Sequence, residues 1–108
     1  MAKLRLSEKA KADLAEIAKH TKSEFGKAQA KKYQQGFKSA FERLVRFPKS
    51  GVERKDLKAN YRSLKIGMHF AIYRISGDEI EVTSILHQSR ELERHLQREK
   101  KRSRGRGL

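Results

Sequence analysis

The apolar positions of the chain fall into blocks with two different periods. Leu4 and Leu6 alternate with Lys3 and Arg5, the pattern of a short half-buried strand. Ala10, Leu14, Ile17 and Ala18 then recur at helical spacing, and Phe25 prolongs the stripe. Ser7 offers an N-cap hydroxyl to this first helix, and Glu8 places a carboxylate in the first turn, where the backbone dipole favours negative charge. Gly26 permits a turn. A second helical stripe follows in Ala30, Tyr33, Phe37, Ala40, Phe41 and Leu44, the strongest periodic signal in the sequence. Pro48 ends it, because proline cannot donate and disfavours helical geometry at Phe47. Two helices joined at a glycine should fold back as a hairpin.

Residues 48–60 are polar, contain Gly51, and read as a connecting loop. Three strand-like runs follow. Residues 61–66 put Leu64 and Ile66 on one side, Ser63 and Lys65 on the other. Residues 68–75 are apolar on both faces, as expected of a central strand. Residues 80–87 set Ile80, Val82 and Leu86 against Ile85. Gly67 and the Ser76-Gly77-Asp78 segment supply turns, so the runs make an antiparallel meander. Ser89, Glu91, Leu92 and Leu96 suggest a last helix over 89–99. The expected architecture is α+β: an N-terminal strand, a two-helix hairpin packed on a three-to-four-stranded antiparallel sheet, and a short C-terminal helix. One domain should occupy residues 1–97, with a basic, disordered tail over 98–108.

Composition narrows the function. Among 108 residues, 27 are basic and 13 acidic, a net charge of +14. Residues 98–107 hold six basic side chains and one acidic, yet the rest of the chain remains strongly cationic. Such a body concentrates anions, so nucleic acid, a nucleoprotein enzyme or an acidic protein are the natural counterparts. There is no cysteine, which excludes disulfides, thiolate metal sites and thiol catalysis. No apolar run is long enough for a membrane span, and no secretory signal opens the chain, so a cytoplasmic location is expected. His20, His69, His87 and His95 do not stand at metal-ligand spacing, and no cofactor is implied.

Several segments taken in order resemble the ParE toxins of the ParE/RelE toxin–antitoxin superfamily. These are LRLSEKAKADLAEIAKHT, the Tyr33 and Phe37 stripe ending in FPKSG, YRSL at 61–64, the FAIYRI strand, and ILHQSRELERHL. The resemblance covers about residues 3–96 and agrees with the element order read from periodicity. It implies a plasmid-stabilisation type toxin encoded beside an acidic antitoxin with a DNA-binding N-terminus. The antitoxin would wrap the toxin in a hetero-oligomer that reaches DNA through the complex. It further implies growth arrest by poisoning DNA gyrase. RelE-like relatives share the fold but cleave messenger RNA in the ribosome, using arginines and lysines on the sheet and a late tyrosine or histidine.

Candidate residues follow from these readings. A target-facing basic strip would comprise Arg62, Lys65, His69, Arg74, His87 and Arg90. Tyr33 and Phe37 are candidates for contact with an antitoxin helix. RNA cleavage would need a base, an acid and a cation for the phosphorane charge, and Arg62, Arg74, His87 and Arg90 are the candidates. Against cleavage, no tyrosine follows Tyr73, and the place of the RelE-like arginine falls near His69 or Phe70. Plain structural roles compete throughout. Arg62 and Arg74 can pair with Glu79 or Glu81, His69 can flank a turn, and His87 can bond backbone at the strand end. Three functions stay open: a gyrase-directed toxin, a ribosome-dependent ribonuclease, and a non-toxic basic nucleic-acid-binding module.

Overall fold

A computed structural model describes residues 2–57 and 60–90. Strand β1 (Lys3–Leu6) leads into helices α1 (Glu8–Phe25) and α2 (Lys27–Arg46), followed by one 3₁₀ turn at Pro48–Ser50. Strands β2 (Val52–Glu53), β3 (Tyr61–Ile66), β4 (His69–Ser76) and β5 (Glu79–His87) complete the described fold. The helices start and stop where local chemistry dictates. The Ser7 hydroxyl accepts from the Ala10 amide at 3.0 Å, and Gly26 turns the chain between α1 and α2 at φ 89°, a backbone conformation that L side chains rarely adopt. Residues 88–90 are helical; the rest of the expected 89–99 helix and the 98–108 tail lie outside the described residues.

The sheet runs β1-β5-β4-β3-β2. It differs from the sequence expectation in two respects. It has five strands, because Val52 and Glu53, placed in the expected loop, pair with Ser63 and Arg62. It is also mixed, because β1 joins β5 in parallel, Lys3 opposite Glu79 through Leu6 opposite Val82. A parallel neighbour needs a long crossover, and here the two helices and the rest of the sheet supply it. Strands β3, β4 and β5 form the expected antiparallel meander.

The face assignment of β5 also changes. A bulge lies where the β4 partner steps from Ile72 to Tyr73, so Ser84 and Val82, but not Thr83, have paired partners. One extra residue reverses the alternation. Ile80, Val82 and Ile85 therefore share the core, and Leu86 points to the opposite face. Two backbone groups of β5 near the bulge find partners at Ser7 and in α1. Ser7 donates its hydroxyl to the Thr83 carbonyl at 2.9 Å, and Asp13 accepts from the Ile85 amide at 2.9 Å.

The core lies between the helix hairpin and one face of the sheet. Phe37, Ala40 and Leu44 of α2 and Ala10 of α1 pack on Ile66, Ala71, Tyr73, Ile80, Val82 and Ile85. Tyr73 is fully buried and still satisfies its hydroxyl: it donates to the Pro48 carbonyl at 2.7 Å and accepts from the Gly51 amide at 2.9 Å. A Cβ at Gly51 would stand 2.5 Å from that hydroxyl, so glycine lets the loop seat on the tyrosine. Tyr73→Phe leaves the buried Gly51 amide unpartnered and should lower stability by about 1–3 kcal/mol in urea unfolding. An unchanged midpoint would show that water replaces the hydroxyl.

Candidate functional site

The sequence-predicted basic strip does not form one surface. Directly paired strand residues share a face. Arg62, His69 and His87 lie on the helix-facing side of the sheet, and Lys65 and Arg74 lie on the other. Arg62 is mostly buried. It donates to the Gly51 carbonyl at 2.9 Å and stands 3.6 Å from Glu53, so it fastens the 48–53 segment to β3. Arg74 donates to Glu81 at 2.9 Å, and Glu81 also binds Arg5, which bonds Glu79 at 3.0 Å. These four make a surface ladder across β1, β5 and β4. Lys65 and Arg90 are exposed and have no ion pair among the described residues.

His69 and His87, in contrast, are directly opposed across β4 and β5, with ring centroids 5.1 Å apart in an edge-to-face contact. Tyr33 reaches them from α2. Its hydroxyl accepts from the Met68 amide at 2.9 Å and lies 2.6 Å from Nδ1 of His69 and 3.2 Å from the Ile66 carbonyl. Gly67 is needed beneath the ring: at φ 59°, a Cβ there would meet Tyr33 at 2.6 Å. His87 accepts at Nδ1 from the Ser89 amide at 3.1 Å, so its neutral form carries the proton on Nε2. Burial, then the nearby His87 and His20, pushes His69 down to about 4. The same burial pushes the Tyr33 hydroxyl up. With His69 neutral, the Tyr33 hydroxyl bonds its Nδ1, the Ile66 carbonyl and the Met68 amide together, which ties the β3–β4 turn to α2.

A second feature is an open apolar cleft of 610 Å³ between the two helices and β1. Leu4 and Leu6 form one wall, Leu14 and Ile17 a second, and Tyr33 and Phe41 a third. Of the two antitoxin candidates, Tyr33 is half-buried and Phe37 is 4% exposed, so Phe37 belongs chiefly to the core and borders the cleft with little surface to offer. The cleft walls at Leu4, Leu6, Leu14 and Ile17 were read from the sequence only as core stripes. Their excess showed in the alternation of the first strand, which supplies apolar side chains at the sheet edge. Among the described residues no group of histidines and carboxylates is placed to hold a metal ion, and no helix is long and apolar enough to cross a membrane.

The depressed His69 has consequences that can be measured. The fold favours its neutral form, while the unfolded chain takes the proton at the ordinary value of 6.5. Its contribution to stability is therefore complete above pH about 6.5 and declines as pH falls towards 4. In a proton NMR titration His69 should titrate well below an ordinary histidine. His87→Gln removes one like charge and should raise that titration point part of the way, because burial is the larger cause. An ordinary titration of His69 in the native protein would contradict the buried geometry.

The fold and these features can be set beside known proteins. The family model described as "ParE toxin of type II toxin-antitoxin system, parDE" matches residues 4–92. Toxin ParE1 of Caulobacter vibrioides is 35% identical over 92 residues, covering 85% of this chain and 95% of that protein. Toxin ParE1 of Mycobacterium tuberculosis is 34% identical over 92 residues, covering 84% and 94%. In structure, the chromosomal ParDE system from P. aeruginosa superposes with a TM-score of 0.70 at 27% identity, covering 81% of this chain and 96% of that one. The RelBE2 complex of Mycobacterium tuberculosis, at 19% identity, TM-score 0.55 and coverage of 80% and 96%, shares the fold alone. An edge strand feeding a two-helix hairpin over a β3–β4–β5 meander, matched along most of its length by ParE sequences, places this chain in the ParE toxin family of type II toxin–antitoxin systems.

Proposed function

We propose that this toxin acts in the cytoplasm by poisoning DNA gyrase, and that a cognate acidic antitoxin silences it by laying an apolar segment in the cleft between α1, α2 and β1. The observation that carries the choice of target is the scatter of the residues a ribonuclease would need. Arg62 pairs opposite Tyr73 and His87 opposite His69, four residues away along β4, which is roughly 13 Å of strand. Arg74 lies on the other face and is held by Glu81. Base, acid and phosphorane-stabilising cation must surround one phosphate within hydrogen-bond reach. These side chains do not. Action by binding a macromolecular target, which needs no such constellation, fits the arrangement better, and within the ParE family that target is gyrase.

The cleft supports the second half of the reading. An amphipathic helix or strand buries its apolar face in such a groove, and a chain of net charge +14 draws an acidic partner towards it. The antitoxin would then contact Tyr33 at its ring, with Phe37 beneath. The target-binding candidates narrow to the exposed or half-exposed groups at one end of the sheet: Lys65, His69, His87 and Arg90.

Induced expression should arrest growth with messages intact, and purified toxin should make gyrase–DNA cleavage complexes accumulate. Degraded messages with unchanged gyrase cleavage would replace this target by the ribosome. Ala15 is exposed and lines the cleft, so Ala15→Trp should fill it without disturbing the core. That variant should weaken antitoxin binding at least tenfold, by about 1.4 kcal/mol or more, and leave growth arrest intact. Full neutralisation of Ala15→Trp would move the antitoxin to another face.

A further inference from the structure

We infer that the outward face of α2 is a docking surface for the phosphate backbone of duplex DNA, bordering the cleft along Lys38 and Glu42 and distinct from the histidine end of the sheet. The first ground is an asymmetry between two packed helices. Helix α1 carries four basic and four acidic residues, and its Lys9 and Lys11 pair with Asp13 and Glu8. Helix α2 carries Lys27, Lys31, Lys32, Lys38, Arg43 and Arg46 against the single acid Glu42. All six cations are exposed, and none has an ion-pair partner among the described residues. Six like charges on one helix repel one another, and Glu42 is the single acid on that helix to offset them.

The second ground is where they lie. At 3.6 residues per turn, all six fall within an arc of about 160° opposite the stripe that Phe37, Ala40 and Leu44 bury. They form two rows. Lys27, Lys31 and Lys38 share one side, and Lys32, Arg43 and Arg46 share the other, with row centres roughly 110° apart around the axis. On a helix about 10–12 Å in diameter the rows stand on the order of 10 Å apart, close to the ~12 Å width of a duplex major groove. One helix can therefore meet both phosphate strands.

The chemistry between the rows selects the partner. Ala28, Gln35, Ser39 and Glu42 lie there, and no aromatic or large aliphatic side chain does. Protein interfaces rely on buried aromatic and apolar anchors, and single strands are held by stacking on aromatic rings. This face offers neither. It offers charge and hydrogen-bond donors, which suit a sequence-independent grip on duplex phosphates. Glu42 stands one turn from Lys38 and from Arg46, so it subtracts one charge from the face where it borders the cleft. Duplex docking on α2 is independent of the cellular target that the toxin acts on.

The test compares two full-length variants with equal charge change. Lys27→Gln, Lys31→Gln, Arg43→Gln and Arg46→Gln neutralise the α2 face; Lys9→Gln, Lys11→Gln, Lys19→Gln and Lys22→Gln remove as much charge from α1. Binding to a random-sequence duplex is measured by fluorescence anisotropy across a salt series, beside a single strand of the same length. The native protein should prefer the duplex. The α2 variant should bind at least tenfold more weakly at 100 mM salt, with a salt slope shallower by roughly 0.9 per lost contact. The α1 variant should bind within about threefold of native. Equal losses in both variants would show that only overall charge matters, and no loss in the α2 variant would remove the site. Intact DNA binding with lost antitoxin binding would assign the face to a protein partner and overturn the inference. Melting curves check folding; should the quadruple variant unfold, Lys27→Gln with Lys31→Gln alone must still lower the affinity and slope.

Discussion

One apolar face of a twisted sheet, covered by α2 and closed at its edge by α1, holds the rest of the molecule in place. Tyr73, Ile80 and Val82 are wholly buried there against Leu44 and Phe37, and full burial of each such side chain is worth about 1.5–3 kcal/mol. Polar groups carried into that layer find partners there. The Tyr73 hydroxyl spans Pro48 and Gly51, and Asp13 and Ser7 bond the Ile85 amide and the Thr83 carbonyl near the β5 bulge. Because the sheet and hairpin register is fixed in this way, the positions of the cleft, the histidine pair and the cationic helix face follow from it.

The cleft exists because the two helices do not close fully over β1. Strand β1 is an edge, joined to the sheet on one side only, and its Leu4 and Leu6 line the cleft with side chains of both helices. An apolar wall at a free strand edge is a liability for a lone protein and an asset for one that is normally held by a partner. Tyr33 joins this region to the far end of the sheet. Its ring lines the cleft, while its hydroxyl holds the β3–β4 turn and His69.

Much of this was legible in the residue pattern, and the misses have physical causes. The two helical stripes, the Ser7 cap and the meander follow from local periodicity and turn chemistry. The parallel pairing of β1 with β5 is a contact between residues more than seventy positions apart, which no local pattern encodes. The bulge at Thr83 reversed the faces of Ile85 and Leu86, because strict alternation assumes an unbroken ladder. Asp13 was readable in part: a carboxylate between Ala10 and Ile17 in an apolar register signals a buried hydrogen-bonding duty. Arg62 and Arg74 looked equivalent beside Tyr61 and Tyr73. Register separates them, one fastening a loop and the other a rung in an ion-pair ladder. The pairing of His69 with His87 also depends on register, so their proximity was invisible in the sequence.

The proposed docking of the antitoxin depends on the α1–α2–β1 cleft staying open in the free toxin. Amide hydrogen exchange of the toxin alone and in complex with that antitoxin tests it most directly. New protection should appear in Lys3–Leu6 and along the facing turns of α1 and α2, with the β3–β4 turn changing less. Protection confined to the β3–β4 turn and the end of β5, with β1 and the helices unchanged, would contradict the account.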